Sequence, residues 1–259
     1  MPPSEPDPSA YRSVTTVVRD GSVRDEVAVE EPLEIRLGGE PVAVTMRTPG
    51  HDEELALGFL YGEGLIDGAR PAGLTADLAA NTIEVAGAPS RELPARRFYT
   101  TSSCGVCGKG ALEELAVHCR PLADGPWVTR ELLAGLPDRL AQPGFERTGG
   151  LHATGLFDRD GGRLCVREDV GRHNAMDKVI GWALAHERVP LASELLCVSG
   201  RLSFELVQKA AVAGAPILVG VGAPTSLAVE LAADLNLTLG GFARHGRVNI
   251  YAAPERCSG

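Results

Sequence analysis

Residues 100 to 110 read TTSSCGVCGKG, and the thiols of Cys104 and Cys107, with Lys109 close behind, have the most direct route to covalent chemistry in this chain. Three uses fit a Cys-x-x-Cys pair. The first is a metal, since two thiolates at this spacing supply half of a tetrahedral zinc set. The other half is missing: no second Cys-x-x-Cys and no His-x-x-x-His follows, and His118 or Cys119 would complete only an irregular set. A zinc deaminase places His-x-Glu ahead of Pro-Cys-x-x-Cys, whereas here His152-Ala153-Thr154 comes after the cysteines and lacks the glutamate. The second use is disulfide exchange, whose motif belongs near a βαβ unit; this pair lies mid-chain among serine and glycine. The third is sulfur carriage on a thiolate. A helix N-terminus or a cation such as Lys109 can lower a thiol pKa from about 8.5 to 7, raising the thiolate fraction at neutral pH from roughly 3% to half. Gly105, Gly108 and Gly110 suit a loop that folds toward a donor and swings back toward an acceptor. Spacing alone does not separate carriage from disulfide exchange.

The elements that must position this pair follow from periodicity. From Ser13 to Thr48 β-branched residues alternate, and Gly38-Gly39 between LEIRL and VAVTMRT predicts a hairpin. PGHDEELALGFLYGEGLI then predicts a helix with Asp52 as N-cap and Leu55, Phe59 and Leu60 on one face, and His51 reads as a helix-start residue rather than a ligand. Strands near TIEVAG and RRFYTT lead into the cysteines. KGALEELAVHC is helical, and Thr129 caps a helix over TRELLAGLPDRLA that QPGF breaks. From Thr148 onward strands alternate with helices, which calls for an α/β sheet with parallel neighbours. Two short strands, NLTLGGFA and RVNIYAA, close the chain. The expected organisation is a tail over 1–12, a β-rich portion with a helix and the cysteine loop over 13–147, and an α/β domain over 148–259.

Two of these strands, CVSGR and VGVGAPTS, run into glycine turns and helix starts, where free N–H groups can receive an anion. Each taken singly reads as an ordinary strand-to-helix turn, and neither a dinucleotide fingerprint nor a P-loop is present. The chain has 259 residues, 44% hydrophobic and 23% charged, and its net charge of −9 argues against general nucleic-acid binding. The uncharged stretch from Ala210 to Val229 is long enough to cross a bilayer, but Pro216, Pro224 and its glycines predict helix end, buried strand and turn instead. The acidic, proline-rich start has no secretory pattern, and the six cysteines form no disulfide framework. Both point to a reducing cytoplasm.

TSSCGVCGK, EDVGRHNAMDKVIG, SGRLSFELVQKA, GAPTSLAVELA and GFARHGRVNIY, in this order, together with the PGHDEELALGFLYGEGLI helix, resemble the FdhD family of sulfurtransferases required for formate dehydrogenase activity. The resemblance covers nearly the whole chain after the tail. It implies that a cysteine desulfurase passes sulfane sulfur to Cys104, the persulfide carrier, with Cys107 relaying or resolving it. The acceptor it implies is the molybdenum cofactor in its bis-molybdopterin guanine dinucleotide form, before insertion into formate dehydrogenase. The family's cofactor-binding segment falls on Phe242, Ala243, Arg244, His245, Gly246 and Arg247. The fold implied is a cytidine-deaminase-like α/β domain, formed mainly by residues 148–259, with a smaller β-rich N-terminal portion and no catalytic zinc. A homodimer is also implied.

The residues of that segment suit the role, since guanidinium forks match phosphates and Phe242 offers a ring for stacking. The alternative is a solvated β-turn. In EDVGRHNAMDK, likewise, either Arg172, His173 and Lys178 line an anion site, or Glu168, Asp169 and Asp177 pair with them.

Overall fold

The computed structural model describes residues 11–18, 21–67, 73–77, 79–91, 98–100 and 120–258; side chains are described from residue 25 onward, those of 98–100 excepted. Cys104, Cys107, Lys109, Cys119 and the helix expected over KGALEELAVHC lie outside them. A two-stranded ribbon comes first, β1 (Tyr11–Val18) with β2 (Gly21–Ala28), so strand begins two residues inside the expected tail. Then β3 (Glu31–Leu37) and β4 (Glu40–Arg47) form the anticipated hairpin, turning at Gly38 and Gly39 with φ of 60° and 87°, values that favour glycine. Leu33, Ile35 and Leu37 alternate inward from β3. With β5 (Leu74–Asp77), β6 (Thr82–Val85) and β7 (Phe98–Thr100) they build a sheet in the order β5-β6-β3-β4-β7, in which β7 lies parallel to β4 and pairs Thr100 with Thr45.

The second sheet has the order β10-β9-β11-β12-β13-β14, where β9 is His152–Phe157, β10 Arg163–Asp169, β11 Leu195–Val198, β12 Ile217–Gly220, β13 Thr238–Arg244 and β14 Arg247–Ala252. The three central strands β11, β12 and β13 are parallel, joined by helix crossovers, and β11 and β12 are buried at every position, as a sheet covered on both faces requires. A short parallel pair, β8 (Val128–Thr129) with β15 (Cys257–Ser258), completes the described strands. The expected α/β class is the observed one. The apolar stretch from Ala210 to Val229 resolves into helix end, strand β12, turn and helix start, and no helix among the described residues is long and apolar enough to cross a membrane.

Two helices join the sheets. Helix α1 (Asp52–Gly62) crosses α4 (Arg172–Ala185), and the crossing is made by glycine: a Cβ on Gly58 would stand 1.8 Å from the Asp177 carbonyl oxygen, and one on Gly181 1.8 Å from that of Glu54. Backbone thus packs on backbone. One apolar cluster runs through the contact, from Ile35, Leu55 and Leu60 to Met176, Leu196 and Leu218. A smaller one on the opposite face of the second sheet seats Leu133, Leu136 and Leu140 on Phe157, Cys197 and Val219.

Helix ends depart from sequence expectation in three places. His51, with φ 57°, is the N-cap of α1; Asp52 is its first residue, and both its carboxylate oxygens accept from Arg47, Nε and Nη2 each at 3.0 Å. A buried guanidinium at the end of β4 has taken the side chain that would otherwise cap. Thr129 caps α2 (Arg130–Gly135) as read, accepting from the Leu132 N–H, but Pro137 turns the chain into a 3-10 turn instead of prolonging the helix. Pro143, read as a breaker, opens α3 (Pro143–Thr148), since proline fits a first helical turn. The Glu168 carboxylate caps that helix from β10, accepting from the N–H groups of Gly144 and Phe145 at 2.8 Å each.

Candidate anion-binding site

The carboxyl ends of β10, β11, β12 and β13, and the start of the antiparallel β9, lie along one edge of the second sheet. In open α/β sheets this is where ligands bind. Residues that are remote in sequence meet here. Asp169 pairs with His152, the Ser199 N–H donates to the Ala153 carbonyl, the Gly222 N–H to Gly200, and the Phe242 N–H to Gly222. The two turns that read singly as ordinary, CVSGR and VGVGAPTS, are therefore bonded side by side, with Leu202 bridging Pro224. Gly222 is needed at this seam, because a Cβ there would stand 2.9 Å from the backbone N and Cα of Arg201.

The choice left open in EDVGRHNAMDK divides residue by residue. Lys178 is a structural partner: its ammonium lies 2.7 Å from Asp169 Oδ2 and also donates to the Thr48 carbonyl at 2.8 Å. Asp177 pairs with Lys209 at 2.7 Å. His173 Nε2 lies 2.7 Å from Glu205 Oε2 and 3.2 Å from Ser203 Oγ, and the His173 bond is the first cause that holds the Glu205 carboxyl below its ordinary value. Arg172 differs. Its Nε is buried and has no hydrogen-bond partner among the described residues. Arg201, on the glycine turn after β11, is exposed. His152 shares this field: burial first, then Arg172, His173 and Arg201 push its imidazole pKa down, with Asp169 opposing. A locally cationic edge therefore exists on an acidic chain.

Asp169 sets the geometry of this edge. Its Oδ1 accepts from the Gly171 N–H at 2.8 Å and Asn174 Nδ2 at 3.0 Å, and its Oδ2 from the Thr48 N–H at 3.1 Å. The first turn of α4, with Arg172 and His173 on it, is thus tied to the end of β4. Asn174 also donates to the Met46 carbonyl and accepts from Thr45 Oγ1. Thr45 is the residue that Thr100 of β7 faces, and Thr100 precedes Cys104 by four positions.

The segment from Phe242 to Arg247 forms the tip between β13 and β14, next to the same edge. Phe242, His245 and Gly246 all have positive φ, at 52°, 52° and 69°, and Arg244 faces Arg247 across the turn. Phe242 is 39% exposed, as a ring available for stacking must be, while Ala243 is fully buried as the anchor of the tip. The segment that the resemblance implied as cofactor-binding thus begins on the same sheet edge as the Gly200 and Gly222 turns. Among the described cysteines, burial pushes the Cys165 thiol up to about 12 and Cys197 further still. No group of three or more His, Cys, Asp or Glu among the described residues could hold a metal.

Residues 28–258 match the FdhD/NarQ family. The chain belongs to this family. Relatives named sulfur carrier protein FdhD include one from Streptomyces coelicolor, 52% identical over 92% of each chain, and one from Mycobacterium tuberculosis, 48% identical over 96% of this chain and 98% of its own. In three dimensions the fold is similar to a crystal structure of a Desulfotalea psychrophila protein assigned as a formate dehydrogenase accessory protein. The TM-score is 0.79 at 27% identity, covering 96% of this chain and 98% of that one. FdhD/NarQ membership is what the five sequence motifs implied. Sequence reading missed Arg201 as a member of the cationic edge, and the signal available was its place directly after the strand-glycine turn in CVSGR.

Proposed function

We propose that this chain is a sulfur carrier that accepts sulfane sulfur on Cys104 from a cysteine desulfurase and delivers it to a molybdenum cofactor of the bis-molybdopterin guanine dinucleotide type. Its closeness to relatives named sulfur carrier protein FdhD supports the carrier role. The assignment of the Desulfotalea protein supports formate dehydrogenase as recipient. The observation that carries the acceptor side is the unpartnered Arg172 Nε on a cationic sheet edge beside the Phe242–Arg247 tip. The residues present fit such a group: guanidinium forks at Arg172, Arg201, Arg244 and Arg247 suit phosphate oxygens, and Phe242 suits a flat ring. The molybdenum centre, when bound, supplies the atom that takes the sulfur.

The protein's own chemistry balances. The Cys104 thiolate attacks the outer sulfur of the desulfurase persulfide; that S–S bond breaks, the desulfurase cysteine leaves as thiolate, and Cys104 holds a persulfide with no net oxidation. Release as sulfide needs two electrons. The Cys107 thiolate provides them by attacking the inner Cys104 sulfur, forming a Cys104–Cys107 disulfide as the terminal sulfur leaves and takes up a proton as hydrosulfide. A thiol reductant then restores the pair.

The test is intact mass after incubation with a cysteine desulfurase and cysteine. Wild type gains one sulfur atom and Cys104→Ala gains none; a wild type that gains none overturns the carrier reading.

A further inference from the structure

The side-chain amide of Asn174 is fully used. Buried on the first turn of α4, it donates from Nδ2 to the Met46 carbonyl at 2.8 Å and to Asp169 Oδ1 at 3.0 Å, and its Oδ1 accepts from Thr45 Oγ1 at 3.2 Å. One orientation satisfies these partners, because a flipped amide would turn its oxygen onto two acceptors, a carbonyl and a carboxylate. The bonds tie two neighbouring residues of β4 to the helix turn that carries Arg172, across 129 positions of sequence. What Thr45 and Met46 support in turn is the edge strand β7. Among the described residues β4 is its only strand neighbour, through the pairs Ala43–Phe98, Val44–Tyr99 and Thr45–Thr100. Being parallel to β4, β7 runs toward the Met46–Thr48 end of that strand, the end bonded to Asp169 and Lys178. Cys104 follows Thr100 by four residues, which span at most about 14 Å.

We propose that Asn174 is a positioning residue for sulfur delivery: through Thr45 and Met46 it fixes β7, and with it the origin of the stretch that leads to Cys104, against the first turn of α4. This rests on the carrier reading above and adds to it a residue that acts on delivery and not on loading. The two steps differ in what they ask of the chain. A desulfurase meets Cys104 as a second molecule and can adjust its approach, whereas an acceptor already held by this protein is met at a fixed place, where orientation within the chain sets the rate.

The test compares loading with delivery in three full-length variants. Thr45→Val keeps the side-chain shape and removes the hydroxyl that Asn174 Oδ1 accepts from, Thr45→Ser keeps the hydroxyl, and Asn174→Ala removes the amide; should the last not fold, the threonine pair decides. Each protein is incubated with a cysteine desulfurase and cysteine, and added sulfur is read by intact mass. Each is also made at matched level in a bacterial host deleted for its own member of the family, and formate oxidation by the host's formate dehydrogenase is measured. All three load as wild type does. Formate oxidation falls on the order of tenfold in Thr45→Val and Asn174→Ala, inside the roughly 10²-fold that a 1 Å misplacement can cost, and stays near wild type in Thr45→Ser. Amide exchange of Phe98–Thr100 quickens in Thr45→Val and not in Thr45→Ser. Wild-type formate oxidation in Thr45→Val and Asn174→Ala, an equal loss in Thr45→Ser, unaltered exchange of β7, or a loss of loading that matches the loss of delivery each overturns the positioning role. A wild type that takes up no sulfur overturns the carrier reading instead, and the positioning role falls with it, so the loading of wild type tells the two failures apart.

Discussion

Lys178 Nζ stands 2.7 Å from Asp169 Oδ2, and the two side chains are 1% and 0% exposed. Asp169 also receives three N–H groups, so the pair fixes both the end of β4 and the first turn of α4. Lys178→Met leaves a buried carboxylate with three donors, and the expected loss is about 3 kcal/mol, the lower end for breaking a buried pair. Asp169→Asn leaves a buried ammonium and costs a similar amount. The double variant costs less than the sum, because neither charge remains. Urea denaturation of the three proteins, with slopes compared, reads the coupling.

At the crossing of α1 and α4 the ordinary rule for glycine reverses. Alanine in a helix is better than glycine by about 1 kcal/mol, yet a Cβ on Gly58 would overlap the Asp177 carbonyl. Overpacking of this kind costs 1–3 kcal/mol or more. Gly58→Ala and Gly181→Ala should each lower the melting temperature markedly. Gly135→Ala, where the added Cβ meets nothing within 4 Å, should leave it within a degree or two or raise it. Thermal melts followed by circular dichroism decide.

His152 should titrate below the ordinary histidine value of about 6.5. Its folded pKa is depressed, so the unfolded chain binds the proton more readily. Its contribution to stability is therefore full above about pH 6.5 and is lost as pH falls through the window beneath it. Burial is the first cause and Arg172 the next, so Arg172→Gln should move the midpoint part of the way up. Proton NMR of the imidazole reads it directly; an unmoved midpoint would place Arg172 away from His152.

The buried thiols should stay silent. Cys165, pushed up to about 12, and Cys197, higher still, hold almost no thiolate at neutral pH. After incubation with desulfurase and cysteine, peptides carrying them should show no added sulfur and, in the native protein, no alkylation by iodoacetamide. Both should alkylate fully once the chain is unfolded. Peptide mass mapping checks each site.

Much of the second sheet is legible in the sequence, because LLCV and ILVG are short apolar runs between amphipathic stretches and the rule for parallel strands does the rest. The insertion of β9 between β10 and β11 is not, since nothing local to HATGLF states its neighbours. Two of the misread helix ends were decided by a side chain outside the helix. Asp52 lost its capping role to Arg47, and Pro143 gained a helix because Glu168, 23 and 24 residues from the N–H groups it accepts from, caps it. Lys178 looks like an anion ligand until Asp169 is seen against it, and Arg201 looks like any surface arginine until four strand ends converge. The deciding partners range from near to far along the chain: Asp52 meets Arg47 five positions away, while the Thr48 to Asp169 bond spans 121 residues.

The glycine crossing also bears on how the chain can be made. Helix α1 emerges from the ribosome long before α4, and at about 5–20 residues per second the roughly 110 intervening residues take some 5–22 s to appear. Through that interval Leu55, Ala56 and Leu60 have no α4 to cover them, and Gly58 has no backbone to rest on. The newborn N-terminal sheet thus completes its core only after the far half of the polypeptide has been translated.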